Sequence, residues 1–415
     1  MEEWKEYSIA DAPLIPLTDL VEFIVDNRGK TVPTSATGIK LIATNCIRNE
    51  YLYPLYEKVR YVTKDTYNTW FRSHPKPGDI IFVNKGTPGK TALVPNPVDF
   101  CIAQDMMAFR LKSNLVYNRY LLAVLRSRNL QNFIMNNQVG TIIPHFKKEQ
   151  LKTLMIPLPD ICKQRKIGDL YFHFSEKAEV NRRINENLEQ QAQALFKSWF
   201  VDFEPFKDGE FVESELGMIP KGWIVRTLGE IGDVIGGSTP SKTKPEYYTE
   251  NGIAWLTPKD LSVSNAKFTE KGEIDITQEG YNSCSTKLMP KGSVLFSSRA
   301  PIGYITIAKN EICTNQGFKS VVPGYAGTAF IYCYLKATTP DIENKATGST
   351  FKEASGSLMK SLQLVVAPKD IMDSFEERLK PIFDEQECIE DESRRLATLR
   401  DTLLPKLMSG ELKFG

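Results

Sequence analysis

Apolar residues recur every seven positions in two long stretches of the chain. In the first stretch they are Ile167, Phe174, Leu188 and Leu195, with Asn181 at the remaining position, and in the second they are Phe375, Ile382, Ile389, Leu396 and Leu403. A seven-residue repeat is typical of an amphipathic helix that packs lengthwise on another helix. Each stretch covers about 40 residues, which predicts a helix roughly 60 Å long.

The two predicted helices share their phase, because the second set of apolar positions follows the first at a constant shift of 208 residues. Each helix would leave half of its surface polar and would be unstable alone. The pattern therefore favours pairing of the two helices. The alternative is two unrelated amphipathic helices, each packed on its own domain. Pro381 is expected to kink the second helix or to mark its start.

The rest of the chain resembles itself at a shift of 214 residues. At this shift Gly38, Thr63, Gly78, Phe82 and Gly89 fall on Gly252, Thr277, Gly292, Phe296 and Gly303. The shift drops to 212 at Gln104 and Gln316 and to 208 at Gly140 and Gly348, so the first copy carries six extra residues, which we place in loops. A period of this length indicates a duplicated domain.

Within each copy, short apolar runs such as residues 79–83 and 293–296 are separated by Gly, Pro, Asn and Ser, which predicts strands and turns, with some helix at residues 119–134. The expected fold is α+β: two tandem α/β domains separated by two long helices, with a pseudo-two-fold internal repeat. We expect the first domain at residues 1–159, the central long helix and linker at 160–206, the second domain at 207–369 and the C-terminal long helix at 370–415.

Charge is distributed unevenly over these parts, although 52 basic and 51 acidic residues give a net charge of only +1. Residues 13–159 hold 19 Lys and Arg against 10 Asp and Glu, and residues 217–369 hold 17 against 13, whereas the helical stretches are neutral to acidic. Two positively charged domains joined by such helices are typical of a protein that binds a polyanion at two places. Double-stranded DNA is the expected partner.

Other classes of protein fit the sequence poorly. The N-terminal residues are acidic where a secretory signal would be basic, and no apolar run approaches the roughly 20 residues of a membrane helix, so we expect a cytoplasmic protein with no membrane partner. The seven Cys include no C-x-x-C pair and the three His lie far apart. Neither a disulfide framework nor a metal site is expected.

Residues 84–91 resemble a phosphate-binding loop, but the motif is incomplete. Asn84 replaces the first Gly, the residues that follow predict a strand, and the second copy lacks Gly-Lys-Thr. No methyltransferase or dinucleotide motif is recognisable, so we predict that the chain is not an enzyme. An NTPase or methyltransferase stays as one alternative, and a coiled-coil scaffold for proteins without DNA specificity stays as another.

Side chains that can grip phosphates or read base edges lie in loops bounded by Gly and Pro. In the first copy the candidates for DNA binding are Arg28, Lys30, Thr44, Asn45, Lys85, Gln104 and Lys147, and in the second copy they are Thr239, Lys242, Lys259, Arg299, Gln316 and Lys352. Arg and Lys favour guanine, whereas Asn and Gln favour adenine. An ordinary solvated side chain is the alternative at each position.

Several segments carry a resemblance to a known family. They are Leu195-Phe-Lys-Ser-Trp-Phe-Val-Asp-Phe-Glu-Pro205, Gly217-Met-Ile-Pro-Lys-Gly-Trp223, Ser297-Ser-Arg-Ala-Pro-Ile-Gly-Tyr304, Thr314-Asn-Gln-Gly-Phe-Lys319, Gly348-Ser-Thr-Phe-Lys352 and the C-terminal Leu-Pro-Lys-Leu-Met-Ser-Gly-Glu-Leu. Together they resemble the DNA-specificity subunit of type I restriction-modification enzymes, over nearly the whole chain.

The resemblance implies two target-recognition domains that alternate with two long helices forming an antiparallel coiled coil, each domain reading one half of a split DNA target. It implies no catalytic activity and no cofactor in this chain. The helices would dock two methyltransferase subunits, which bind S-adenosylmethionine and methylate adenine, and ATP- and Mg²⁺-dependent motor-nuclease subunits would join for cleavage. Because the copies differ in their loops, we expect unlike half-sites, with centres roughly one DNA turn (about 34–36 Å) apart.

Overall fold

The structure is a computed structural model of the chain and describes residues 12–26, 30–140, 142–264, 266–348 and 352–409. The chain divides into two compact units. The first unit comprises residues 1–181 and 392–415, and the second comprises residues 182–391. Each unit combines strands and helices, which confirms the expected tandem arrangement of mixed helix and strand domains.

The first unit begins with strands and short helices and ends in a long helix. Its strands are β1 (Leu14–Pro16), β2 (Val21–Asp26), β3 (Ile39–Ile42), β4 (Arg60–Val62), β5 (Ile80–Val83), β6 (Thr91–Leu93), β7 (Phe100–Ile102), β8 (Met106–Leu111) and β9 (Met155–Pro157). Its helices are α1 (Leu17–Leu20), α2 (Lys64–Thr69), α3 (Asn118–Leu125), α4 (Arg128–Asn137), the first part of α5 (Ile161–Phe200) and the late part of α11 (Lys369–Ser409).

Strand β5 lies at the centre of the first unit, in a four-stranded antiparallel sheet of order β2-β8-β5-β6. All four of its side chains are buried, and they alternate between two faces. Ile80 and Phe82 join the core formed with α3, whereas Ile81 and Val83 join a second core with the sheet β4-β3-β7, in which β3 and β7 are parallel. The sheet is therefore a middle layer covered on both sides.

The second unit repeats this plan. Its strands are β10 (Phe211–Ser214), β11 (Gly217–Pro220), β12 (Ile224–Thr227), β13 (Gly232–Gly236), β14 (Tyr248–Thr249), β15 (Trp255–Leu256), β16 (Phe268–Thr269), β17 (Asp275–Ile276), β18 (Val294–Ser298), β19 (Ile302–Ala308), β20 (Cys313–Thr314), β21 (Lys319–Pro323) and β22 (Gln363–Val366). Its helices are the late part of α5, α6 (Leu228–Ile231), α7 (Pro258–Ser264), α8 (Gln278–Asn282), α9 (Thr328–Lys345), α10 (Gly356–Lys360) and the early part of α11 (Lys369–Ser409).

The strand pairings of the two units correspond. In the second unit the sheet β13-β21-β18-β19-β16 takes the place of β2-β8-β5-β6, with β18 buried throughout as β5 is. The parallel pair β15 and β20 takes the place of β3 and β7. The antiparallel pair β12 and β22 takes the place of β1 and β9. In each domain this pair joins a strand near the beginning of the domain to the last strand before the long helix.

Single residues of the predicted repeat also play matching roles. Thr63 and Thr277 each cap a short helix by accepting a hydrogen bond from the backbone N–H three residues later, at 3.1 Å in both units. Gly78 and Gly292 have φ angles of 85° and 87°, in the left-handed region that glycine adopts most easily. The duplicated-domain interpretation of the sequence thus agrees with the three-dimensional structure of each unit.

The two long helices extend as the apolar pattern predicts, although α11 begins at Lys369, so Pro381 does not mark its start. In the first unit the late part of α11 runs antiparallel to α5. Asn181 donates to Glu392 at 2.6 Å, and the Arg400 guanidinium lies 5.7 Å from the Tyr171 ring. In the second unit Phe375 packs on Phe200, with ring centroids 4.9 Å apart.

The predicted helix-pairing positions differ in burial. Ile167, Phe375 and Ile389 are buried, Leu195 and Ile382 are partly buried against the core of the second unit, and Phe174, Leu188, Leu396 and Leu403 are half-buried. Buried polar side chains, among them Gln164, Asn181 and Gln386, interrupt the apolar stripe. Coiled-coil packing of the whole helix pair stays a prediction.

Candidate nucleic-acid interface

A cavity of about 610 Å³ in the second unit is lined by five of the six side chains that the sequence predicts for that copy. These are Thr239, Lys242, Lys259, Arg299 and Gln316. They are far apart in sequence and meet because β13, β15, β18 and β20 end near the cavity. Lys259 lies on helix α7, which follows β15, and the other four lie in the loops that follow β13, β18 and β20. Lys352, the sixth, is exposed, and its ammonium group donates to the carbonyl oxygen of Glu343 at 3.3 Å.

Polar contacts fix the orientation of these side chains. The hydroxyl of Thr239 donates to the side-chain oxygen of Gln316. Arg299 lies 3.6 Å from a carboxylate oxygen of Glu353, which also pairs with Lys319 at 3.2 Å. Lys259 pairs with Glu273 at 2.8 Å, and this hydrogen bond raises the pKa of the Lys259 ammonium group. The cavity wall therefore carries cationic side chains beside an amide able to donate and accept hydrogen bonds.

The first unit presents Lys85 and Gln104 on the same backbone framework. The N–H of Asn84 donates to the carbonyl of Asp105 at 3.1 Å, as the N–H of Ser298 donates to Gly317 at 2.7 Å. A third loop joins each pair of loops through the backbone. The N–H of Phe146 donates to the carbonyl of Asn84 at 2.8 Å, and the N–H of Ala354 donates to the carbonyl of Ser298 at 2.9 Å. Three loops thus meet at one edge of each unit.

The side chains on this shared framework differ between the units. In the first unit the Lys85 ammonium group lies 3.9 Å from a carboxylate oxygen of Asp105. In the second unit the corresponding cation, Arg299, lies near Glu353 instead. Asn45 occupies the position that Lys259 has in the second copy, and it donates to the carbonyl of Glu57 at 2.6 Å. The two edges therefore offer different hydrogen-bonding groups to a ligand.

The remaining candidates of the first copy are less closely gathered. Thr44 is half-buried in a short 3₁₀ turn next to Asn45. Lys30 and Lys147 are exposed. Arg28 lies outside the described residues.

The structure adds residues that the sequence did not single out. Trp255, Asn315 and Tyr248 also line the cavity. Asn315 precedes Gln316 in the motif Thr314-Asn-Gln-Gly, so the sequence motif could have identified Asn315 as a candidate. In the first unit His145 lies 3.2 Å from the amide nitrogen of Asn84, and nothing in the sequence distinguished it from an isolated histidine.

The phosphate-loop alternative does not fit the geometry. Residues 84–90 connect β5 to β6, which pair antiparallel, and Thr91 is the first residue of strand β6. A phosphate-binding loop requires a helix N-terminus at that point. Among the residues that the structure describes, no three His, Cys, Asp or Glu side chains gather closely enough to hold a metal ion. No helix in the described ranges has the length and apolar character to cross a bilayer.

Two domains of one fold, each with the same three-loop edge, define a tandem-repeat protein, and comparison with known proteins identifies its family. The family described as "Type I restriction modification DNA specificity domain" matches the chain twice, over residues 14–190 and 220–391. The chain therefore belongs to the type I restriction-modification DNA specificity family.

Two relatives agree with this assignment, and a solved structure shares the fold. The chain is 26% identical to the Type I restriction enzyme HindI specificity subunit of Haemophilus influenzae, over 99% of this chain and 100% of that protein. It is 42% identical to the MjaIX specificity subunit of Methanocaldococcus jannaschii, over 37% and 36% of the two chains. Its fold resembles the crystal structure of the S subunit of the type I restriction-modification system from M. genitalium, with a TM-score of 0.57, 17% identity and 96% of each chain covered.

Proposed function

We propose that this chain is the non-catalytic DNA sequence-recognition subunit of a type I restriction-modification complex, and that each repeat reads one half of a bipartite target. The observation that carries the proposal is the three-loop edge found in both units. It presents Lys85 with Gln104 in one unit and Arg299 with Gln316 in the other. A cation beside an amide suits phosphate contact together with base reading.

The target is asymmetric in this proposal, because the two edges share a framework but not their side chains. His145 in the first unit stands where Glu353 stands in the second, and Asn45 stands where Lys259 stands. Since donors and acceptors decide which base edge is bound, unlike sets favour unlike half-sites.

The proposed domains are a first target-recognition domain at residues 1–159, a central helix and linker at 160–206, a second target-recognition domain at 207–369 and a C-terminal helix at 370–415. We propose that the helices form an antiparallel coiled coil, space the two readers and dock two methyltransferase subunits. The antiparallel contacts within each unit, such as Asn181 with Glu392, support this arrangement.

Catalysis belongs to the partner subunits in this proposal. Methyltransferase subunits would bind S-adenosylmethionine, and restriction subunits would use ATP and Mg²⁺, while this chain selects the sequence. The assembly would act in the cytoplasm, where its double-stranded DNA target lies.

Domain exchange tests the proposal directly. Residues 13–159 are replaced by the corresponding domain of another family member, and adenine methylation by the reconstituted complex is mapped across a genome. The expected result is a new sequence at one half-site and an unchanged sequence at the other. Changes in both half-sites would reject separate reading by the two repeats. A complex that gives no mobility shift with DNA at low salt would instead favour a protein scaffold.

A further inference from the structure

An exposed apolar tip adjoins the proposed DNA-binding edge of the first unit. Ile142 is 92% exposed and Ile143 is 54% exposed, and Val139 on the same loop is 47% exposed. Large aliphatic side chains in water are unfavourable by roughly 25 cal/mol per Å² of apolar surface. A loop that holds two consecutive isoleucines outward therefore points to a ligand that covers them.

The tip is held in place by the backbone. Val139 and His145 form an antiparallel bridge with two hydrogen bonds of 2.8 Å, which holds the residues on either side of the tip together. The carbonyl of Pro144 accepts a hydrogen bond from Gly86 at 2.8 Å, and His145 bridges to Lys85. The isoleucines are thus fixed beside the turn that carries the Lys85 ammonium group.

The surroundings of the tip are polar and basic. Lys147 follows it and is exposed, and the ammonium group of Lys148 reaches Asp26 at 2.6 Å. Lys85 pairs only at 3.9 Å with Asp105. An apolar tip rimmed by lysines is complementary to a DNA groove, where phosphates flank base edges and the thymine methyl group is the apolar feature of the major groove.

We propose that Ile142 and Ile143 read DNA by apolar contact with thymine methyl groups in the first half-site. This inference rests on the proposed function and adds a form of base recognition that needs no hydrogen bond. The second copy has Thr350 and Phe351 at the corresponding shift of 208 residues, both outside the described residues. The pair of aliphatic side chains is thus found in the first copy, and the proposal concerns the first half-site.

The test begins with methylation mapping of the reconstituted complex, combined with exchange of residues 13–159 to assign the first half-site. A first half-site with no A·T pair in it or directly beside it would overturn the proposal. Duplexes are then made with thymine or with deoxyuridine at those positions, which differ only in the C5 methyl group. Wild-type complex should bind the deoxyuridine duplex about four-fold more weakly, the effect of uncovering one methyl group.

The double variant Ile142→Ser, Ile143→Ser should bind the thymine duplex roughly ten-fold more weakly than wild type and bind both duplexes alike. Leu14→Ser, which changes an apolar side chain of 58% exposure on strand β1, is the matched control and should behave as wild type does. Wild-type complex that binds both duplexes alike, or a double variant that keeps the difference, would overturn the proposal. So would a double variant that no longer co-purifies with methyltransferase subunits, since the tip would then be a protein contact.

The outcomes separate this inference from the function on which it rests. If wild-type complex binds its mapped target specifically and the isoleucine variants change nothing, the apolar reader is rejected and the recognition function stands. If wild-type complex shows no preference for its mapped target over competitor duplex, the recognition function itself is rejected.

Discussion

Lys267 has one of the most enclosed charged side chains of the second unit, with 6% of its side chain exposed. Its ammonium group contacts Glu189 at 2.8 Å and Gln386 at 2.6 Å, and it lies 3.5 Å from the centre of the Phe383 ring. Lys336 pairs with the other oxygen of Glu189 at 3.0 Å. A buried charge of this kind is tolerated only when every partner is present, so the cluster ties both long helices to the globular part of its unit.

Glu189 makes the stability of the second unit dependent on acid. Burial alone would raise its pKa, but the ammonium groups of Lys267 and Lys336 lower the pKa to about 2, from an ordinary value of 4.5. Because the folded state binds the proton less readily than the unfolded state, the stabilisation is complete above about pH 4.5 and is lost as the pH falls towards 2. It amounts to about 3 kcal/mol.

We therefore expect Glu189→Gln to lower the thermal unfolding midpoint of the second unit at pH 7 and to have a much smaller effect near pH 2.5. Calorimetric scans of both proteins across this range measure the difference. Glu213→Gln, a change at an exposed carboxylate on strand β10, is the control and should keep the unfolding midpoint close to that of wild type. A constant gap between Glu189→Gln and wild type at every pH would contradict the assigned role of the carboxylate.

Gly38 and Gly252 mark equivalent close approaches of two strands. A Cβ atom at Gly38 would lie 2.2 Å from the carbonyl oxygen of Val62, and one at Gly252 would lie 2.5 Å from that of Ile276. We expect Gly252→Ala to destabilise its unit by roughly 2–3 kcal/mol, measured by chemical denaturation, because backbone must move. Gly86→Ala, where no atom lies within 4 Å of the new Cβ, should cost only about 1 kcal/mol through its left-handed φ of 84°. Equal losses at both positions would contradict the steric argument.

At the scale of elements, Phe375 joins three helices. It is fully buried, and its ring lies 4.9 Å from that of Phe200 on α5 and 6.4 Å from that of Phe330 on α9. Aromatic pairs with this edge-to-face geometry add to the free energy of simple burial. The beginning of α11 is therefore anchored in the core of the second unit.

Phe375→Ala should reduce the unfolding free energy of the second unit by about 3–5 kcal/mol, because a large cavity remains among aromatic rings that cannot close over it. Urea denaturation followed by tryptophan fluorescence measures the loss, since Trp199 lies 5.6 Å from the Phe375 ring. Leu399→Ala on the same helix, at a position 46% exposed, should change stability by less than about 0.5 kcal/mol. A Phe375→Ala loss as small as that of the control would show that α11 is not anchored there.

The elements that the sequence predicted well are those with strong periodicity. The heptad spacing placed both long helices, because 40 residues of repeated pattern leave little ambiguity. Pro381 lies inside α11 and does not mark its start, so of the two expectations for this proline that one is wrong. A proline leaves only the carbonyl four positions earlier without its helical hydrogen bond, and one lost bond is small in a helix anchored by Phe375. The two-residue strands β14 to β17 carry no detectable alternation and follow from tertiary pairing alone.

At the scale of the whole molecule, duplication was the most informative property of the sequence. Gln104 and Gln316, and Lys85 and Arg299, were identified because they align between copies, and the structure gives each pair the same backbone surroundings. His145 and Ile142 could not be found in this way, because their importance comes from loop packing and exposure rather than from residue type. Whether each of these side chains contacts DNA stays a prediction.

The two edges should contribute equally and independently to the salt dependence of DNA binding. Lys85→Gln and Arg299→Gln each remove one cation, so each should reduce the slope of log K against log salt by about 0.9, and the double variant by roughly twice that. Affinity of the reconstituted complex for its mapped target, measured from 50 to 200 mM NaCl, gives the slopes. Lys221→Gln, which removes an exposed lysine paired with Glu210 on the hairpin of β10 and β11, is the control of equal charge. If Lys221→Gln reduces the slope of log K against log salt as much as the other two variants do, net charge alone explains the salt dependence. If only Lys85→Gln and Arg299→Gln reduce the slope, each repeat makes one phosphate contact through these residues.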